Sequence, residues 1–472
     1  MPQHRRGSDI VPSSVALSIW AILLLALLRL DPARESKTSW ALWVPVIWAF
    51  IAGSRLASQW IEGQVMMAAQ EAEEGNPLDR TIFLLLILLA IGVLASRSFQ
   101  WSDFVARNLA LSGLLLFALV SILWSDYTFV AFKRWFRDIG NYMVILVVMT
   151  DPHPLEAFRT VFRRLFYLLI PLSILLIKYY PDIGRQYNFW TGAGYNVGAA
   201  TSKNMLGVAC LVSGLFFFWD TVARWADSKE SRTKRIIIVN LTFMTMTLWL
   251  LHAAESATSS VCLALGCLVI AAAHSSTFKQ SPRFLTALIP TGFCLYLILA
   301  FGLGLNGVFA GAVGRNPTLT DRTQIWAILL SIHTNPFIGT GYESFWLGPR
   351  LAQVWRTFQI NEAHNGYLQV YLNLGLIGLC LLLAFLIASY RTIGKRLRPF
   401  SSLGSFTLAI WTILLFYNMT EATFPGGVLW LALLPGALAL APRAEERTQG
   451  ASAIDDAGVA EQLPVSVWEI EA

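Results

Sequence analysis

The feature that most constrains this chain is a series of apolar runs, each close to the roughly 20 residues a helix needs to cross a bilayer. They fall at 12–30, 39–57, 81–97, 104–124, 136–150, 161–180, 203–224, 235–252, 257–273, 284–305, 367–389, 402–420 and 426–441. Lipid cannot satisfy an open backbone, and the runs lack the alternation of a barrel, so each is read as a helix. Composition agrees. Of 472 residues, 56% are hydrophobic and 14% charged, where a soluble domain carries about a quarter charged. The expected fold is an all-α polytopic membrane protein with 12–13 transmembrane helices and one large periplasmic loop carrying short helices.

The net charge of +6 does not point to nucleic acid, because the bases sit in short loops between apolar runs. The positive-inside rule assigns Arg391, Lys395, Arg396 and Arg398 to the cytoplasm. It does the same for Lys279 with Arg283, for the basic cluster from Arg224 to Arg235, and for Arg159, Arg163 and Arg164. The alternate loops carry little positive charge, with Glu255 alone in one and Glu421 alone in another, which places 181–202 and 306–366 outside. Counting backwards puts the N-terminus outside as well. His4, Arg5 and Arg6 argue against that, unless one of the first two runs or the short 136–150 is re-entrant. The chain thus divides into a basic segment at 1–11, helices over 12–305, the loop 306–366, helices over 367–441, and an acidic tail at 442–472 that reads as disordered and cytoplasmic. Its expected location is a bacterial inner membrane, crossed many times, with the active site on the periplasmic face.

Absences narrow the chemistry. The five cysteines lie in apolar runs without a CxxC pair, and the six histidines include no HExxH, so neither a disulfide framework nor a metal site is expected. There is no Asp-x-Asp pair, no P-loop and no GxSxG. Soluble nucleotide donors and ATP are therefore disfavoured, and no cofactor is expected.

The loop 306–366 is too long for a passive connector, and three polar clusters stand out at the external ends of the runs. In Thr318–Trp326, Asp321 is an N-cap candidate with Gln324 three residues on. Arg322 would then sit in the first helical turn, with Arg315 seven residues upstream. Two guanidiniums beside a helix N-terminus suit a phosphate or diphosphate, the plainer alternative being solvated surface arginines. Trp326 shares the face of Arg322 and is a candidate glycan contact, with packing its plainer role. The second cluster is His364-Asn365, ahead of Tyr371, Gly375 and Gly378. If a helix begins near His364, these residues form one stripe that lets a neighbouring helix approach. A histidine at its head can take a proton from a hydroxyl near neutral pH, or serve as an interfacial hydrogen-bonding residue. In the third, Arg185 precedes Trp190, Gly192, Gly194 and Gly198, then Ser202-Lys203-Asn204. Glycine-rich backbone can approach a ligand closely, and Arg185 and Lys203 place positive charge outside; the alternative is a turn with a snorkelling lysine.

Together these residues resemble the O-antigen ligase and O-antigen polymerase superfamily. The resemblance rests on His364-Asn365 followed by Gly375-Leu376-Ile377-Gly378, on Arg322 with Trp326, on Asn335-Pro336-Phe337-Ile338-Gly339-Thr340-Gly341-Tyr342, and on Arg185 with Lys203-Asn204. It covers roughly the C-terminal 60% of the chain, the first half matching only in hydropathy. The Thr-Leu-Thr-Asp-Arg-Thr and Ser-Lys-Asn wording resembles the exopolysaccharide polymerase branch. The resemblance implies a metal-independent, inverting transferase that takes a glycan from an undecaprenyl-diphosphate carrier and joins it to an acceptor hydroxyl. His364 and Arg322 would be catalytic, the arginine stabilising the leaving diphosphate and the histidine orienting or deprotonating the acceptor. Arg185, Arg315, Lys203, Asn365, Trp326 and Tyr342 would bind diphosphate or glycan. Implied partners are the lipid-linked oligosaccharide and the bilayer, with flippase and chain-length regulator proteins as further partners and no nucleic acid. A ligase acting on lipid A–core is the nearest alternative. A transporter or flippase is the other class, disfavoured because polar residues gather in one external loop rather than mid-membrane.

Overall fold

The computed structural model describes residues 11–29, 31, 38–62, 75–187, 192, 194–225, 229–303, 322–358, 360–397 and 402–440. Arg315, Asp321 and Trp190 lie outside these residues, as do His4, Arg5, Arg6 and the acidic tail.

In chain order the helices are α1 (Ser13–Arg29), α2 (Trp43–Gly53, entered by a 3-10 turn), α3 (Ala57–Ile61), α4 (Pro77–Ser96), α5 (Trp101–Arg107), α6 (Leu109–Val120), α7 (Thr128–Met149), α8 (Pro154–Tyr179) and α9 (Pro181–Gly184). A hairpin of β1 (Arg185–Tyr187) and β2 (Gly194–Asn196) pairs antiparallel, Arg185 opposite Asn196. Then come α10 (Lys203–Arg224), α11 (Ser231–Ala254), α12 (Ala257–His274), α13 (Ser276–Gln280), α14 (Pro282–Leu297, leading into a π turn), α15 (Arg322–Ser331), α16 (Gly348–Phe358), α17 (Gly366–Leu397), α18 (Ser402–Tyr417) and α19 (Gly427–Ala437).

Each of the thirteen apolar runs lands on a helix. Among the described residues, seven helices are long and apolar enough to cross a membrane, an eighth if the α5–α6 pair, bent by 100°, counts as one span, and four more apolar helices are shorter. Chain ends alternate between the two ends of the bundle. At one end, the Tyr180 hydroxyl donates to Ser13 O, Ser58 N to Asp79, Tyr342 N to Ser121 Oγ and Asn196 Nδ2 to Ala253 O. At the other, Ser39 N and Arg97 reach Asp151, Asn108 Nδ2 donates to Ala439 O, and Trp219 Nε1 to Ser402 O. The run 136–150 is not a short helix of its own. It is the C-terminal part of α7, a 22-residue helix between the two ends, and the start of α1 shares an end with the 181–202 loop.

Arg159, Arg163 and Arg164 sit within α8 rather than in a loop ahead of it. They are held by buried acids: Asp220 meets Arg159 at 3.0 Å, Arg163 at 3.1 Å and Arg224 at 2.9 Å, and Asp31 meets Arg164 at 2.8 Å. Burial inside the bundle requires such pairing. Of the helices long enough to span, α8 and α10 are the most enclosed, their spanning windows 78% and 83% buried, against 11% for α14 at the perimeter. Their contact is filled by Phe158, Phe162, Phe166, Phe216 and Trp219, all at most 1% exposed.

Candidate functional site

The stripe expected on one unbroken helix is not what forms. α17 begins at Gly366 and is broken at Gly375, whose φ of 65° and ψ of −166° no helix adopts. The break is filled by the segment Asn335–Gly341. Thr340 N and Gly341 N donate to Leu372 O and Asn373 O at 3.2 and 2.9 Å, and Leu376 N and Ile377 N donate to Pro336 O and Phe337 O at 2.9 and 3.1 Å. Every backbone group freed by a kink inside a bundle needs such a partner. The glycines are what permit the approach: a Cβ on Gly375 would lie 2.3 Å from Phe337 backbone, and one on Gly339 would lie 2.4 Å from Asn373 O. Gly375→Ala should therefore unseat the segment. The left-handed backbone alone costs about 1–3 kcal/mol, and the collision adds to it. A thermal melt of the detergent-purified variant unchanged from wild type would disprove this.

The seated segment and its neighbours buttress the turn that carries His364. Trp346 Nε1 and Ala363 N both donate to Gln369 Oε1, at 2.7 and 3.1 Å, and Trp326 Nε1 donates to Ala363 O at 2.9 Å. Trp326 thus packs and holds the turn. Asn365 caps α17, its Oδ1 accepting from Leu368 N at 3.0 Å. Between Ala363 and Asn365, His364 is pinned at φ +45°, a conformation a side-chain-bearing residue holds only where its surroundings impose it. Gly366 seats the turn on the loop after α18: its N–H donates to Asn418 O at 2.9 Å, and a Cβ there would lie 2.0 Å from Asn418 Oδ1.

That loop supplies a residue the sequence reading passed over. Glu421, 6% exposed, receives Arg322 Nη2 on Oε1 at 2.7 Å and Asn204 Nδ2 on Oε2 at 2.9 Å. His364 Nδ1 lies 3.5 Å from Oε2 and 3.0 Å from Glu362 Oε1. One carboxylate thus gathers the arginine of α15, the asparagine at the start of α10 and the histidine ahead of α17. The signal was present but weak: a lone acid in a short loop between two apolar runs, with no neighbouring base in sequence to neutralise it.

Burial would lower the His364 pKa, but the two carboxylates outweigh it and raise it to about 9. The ring therefore carries a proton at neutral pH. Of the two roles read from sequence, orienting a hydroxyl is favoured over removing its proton. Glu362, His364 and Glu421 each bring a donor atom within 4.8 Å of the others. Arg322 and Asn204 already occupy both Glu421 oxygens, and a guanidinium on that carboxylate opposes a second cation. The set fits an ion-pair network.

Other expected site residues stand apart. Lys203 Nζ lies 6.0 Å above the Tyr195 ring, and Arg185 Nε donates to Ile177 O at 3.2 Å from the exposed hairpin. Tyr342 is 5% exposed, its hydroxyl donating to Asp138 at 2.9 Å in a cavity that Tyr142 and Phe424 also line. The loop around Arg185 is anchored from the first half of the chain: buried Arg55 donates to Ile183 O at 2.6 Å and to Ala200 O at 3.1 Å.

Residues 241–383 match the family model described as O-antigen ligase. The chain is 24% identical over 307 residues to the exopolysaccharide production protein ExoQ of Rhizobium meliloti (strain 1021). That alignment covers 62% of this chain and 66% of the relative, slightly under two thirds of its length. Both findings support the O-antigen ligase and polymerase superfamily suggested by the motifs, with a ligase-type or polymerase-type role in a multi-pass membrane protein. The matched segment contains Arg322, His364 and the Gly375 break; Asn204 and Glu421 lie outside it.

Proposed function

We propose that this chain is a polymerase that joins undecaprenyl-diphosphate-linked oligosaccharide repeat units into an exopolysaccharide or O-antigen chain. It acts at the periplasmic face of a bacterial inner membrane, inverting the anomeric carbon without a metal. The observation that carries the reading is the convergence of Arg322 and protonated His364 on one buried carboxylate at the end of the bundle. An anionic leaving group needs fixed positive charge where its own charge develops, and a guanidinium presents a fork that matches phosphate oxygens. A diphosphate entering here would meet the Arg322 donors left over from the Nη2 contact to Glu421. His364 would orient the acceptor hydroxyl from the neighbouring position, while Lys203 and Arg185 lie farther along the same end of the bundle as charge for the approaching donor.

The ligase reading, in which the acceptor is lipid A–core, is favoured by the description of the matched family and uses the same donor chemistry. A transporter is disfavoured. The backbone groups freed at the Gly375 break are taken up by the 335–341 segment rather than left to line an ion site. Incubating the purified protein with purified lipid-linked repeat units separates the three readings on a gel. A ladder of chain lengths is expected. Product only when lipid A–core is supplied would mean a ligase, and no new glycosidic product under either condition would overturn a transferase.

A further inference from the structure

Among the described residues of this cluster, Glu421 is the one that meets Arg322, Asn204 and His364. Its position is set by the fold rather than by its own length: the Glu421 N–H donates to Tyr417 O at 2.9 Å, and Asn418 ties the loop together by accepting from Thr423 N at 2.9 Å. Its three partners come from segments that no local structure joins, Arg322 being 99 residues away in sequence and Asn204 being 217. The charge balance makes the carboxylate necessary. Arg322 and protonated His364 approach the same two oxygens at 2.7 and 3.5 Å, and without an anion between them two confined cations would repel and move apart. Glu362 cannot substitute, since its side chain is 37% exposed and, of the two cations, it meets His364. The other titratable groups beside Glu421 are the Tyr417 phenol and the Cys262 thiol.

We propose that Glu421 is the positioning residue of the transfer reaction, its single carboxylate holding Arg322 and His364 side by side so that leaving diphosphate and acceptor hydroxyl meet in one place. This rests on the transferase reading above, and extends it to a residue outside the matched family segment.

The test uses the purified full-length protein and two variants, Glu421→Gln and Glu421→Asp. In the first arm, NMR follows the histidine imidazoles with pH, the His364 signal being identified by its absence from His364→Ala. In wild type it should titrate near pH 9, and in Glu421→Gln at clearly lower pH; an unmoved titration overturns the proposal. In the second arm, consumption of lipid-linked repeat units is measured. Glu421→Gln should be slower by about a hundredfold, the loss expected when reacting groups are misplaced by around an ångström, and Glu421→Asp should recover part of the rate. A normal rate in Glu421→Gln overturns the proposal even if the titration moves. Should that variant fail to accumulate, Glu421→Asp decides: its shorter carboxylate cannot span all three partners, so an unchanged rate overturns the proposal. An inactive wild type would sink the transferase reading itself, an outcome the titration arm keeps separate from a failure of the pairing.

Discussion

Replacing Arg322 by lysine should remove nearly all transfer activity while the protein still accumulates in the membrane. The substitution keeps a positive charge beside Glu421, so the carboxylate is not left buried without a cation. The Arg322 and Glu421 side chains are 13% and 8% exposed, and it is complete removal of one partner that such a pair tolerates poorly. What lysine lacks is the planar fork. Arg322 offers five N–H donors, enough to keep a hold on Glu421 while presenting parallel donors to a diphosphate, whereas an ammonium is a point charge that must choose between them. Losing one donor aimed at developing charge costs on the order of a hundred- to a thousandfold in rate. The measurement is polymer formed per milligram of membrane-extracted protein, with donor affinity determined separately. Because the lost contact is to the donor, affinity should fall along with rate. Normal polymer from Arg322→Lys would remove the diphosphate role, and disappearance of the protein would reassign Arg322 to holding the fold.

The helices were legible because their cause is local: a run of apolar residues of near-spanning length dictates a helix whatever lies elsewhere in the chain. Where a helix turned polar the reading failed for the same reason. α8 begins at Pro154 rather than near 161, because Arg159 and Arg163 are carried into the bundle by Asp220 and Asp31, acids distant in sequence. The Gly375 break was hidden too. Gly375 and Gly378 fit a packing stripe by periodicity, and only the return of the 335–341 segment to that point shows that Gly375 leaves the helix. Arg322, His364 and Asn204 were visible as motif residues, yet what unites them was not. An ion pair is fixed by distance in space, and Glu421 is joined to its partners by the mutual packing of α10, α15, α17 and α18. Arg55 shows the same limit from the other half of the chain, where hydropathy gave no reason to connect it with the loop it anchors.

His364→Ala should lose all but a residue of product while donor binding stays close to wild type, and wild-type activity should itself fall as the pH rises through about 9. Both follow from the pairing at the site. The folded-state pKa of His364 is raised to about 9, so the imidazolium is present through the neutral range and is lost above that value. A free base of ordinary pKa would give the opposite limb, with activity climbing from pH 6 to 7 as the ring deprotonates. The protonated ring sits against Glu362 and against the Glu421 oxygen that Arg322 does not contact, which suits action on the acceptor rather than a grip on the diphosphate. Truncation removes the group that orients the acceptor, a loss on the order of a hundredfold or more when a reacting group is misplaced, but leaves the Arg322 fork in place. The decisive comparison is the pH profile of turnover with donor saturating. Wild type should show an alkaline limb near pH 9, and the residual activity of His364→Ala should show none. A limb that survives in His364→Ala belongs to another group, and substantial polymerisation by that variant would return His364 to an interfacial hydrogen-bonding role, leaving Arg322 as the main support for transfer.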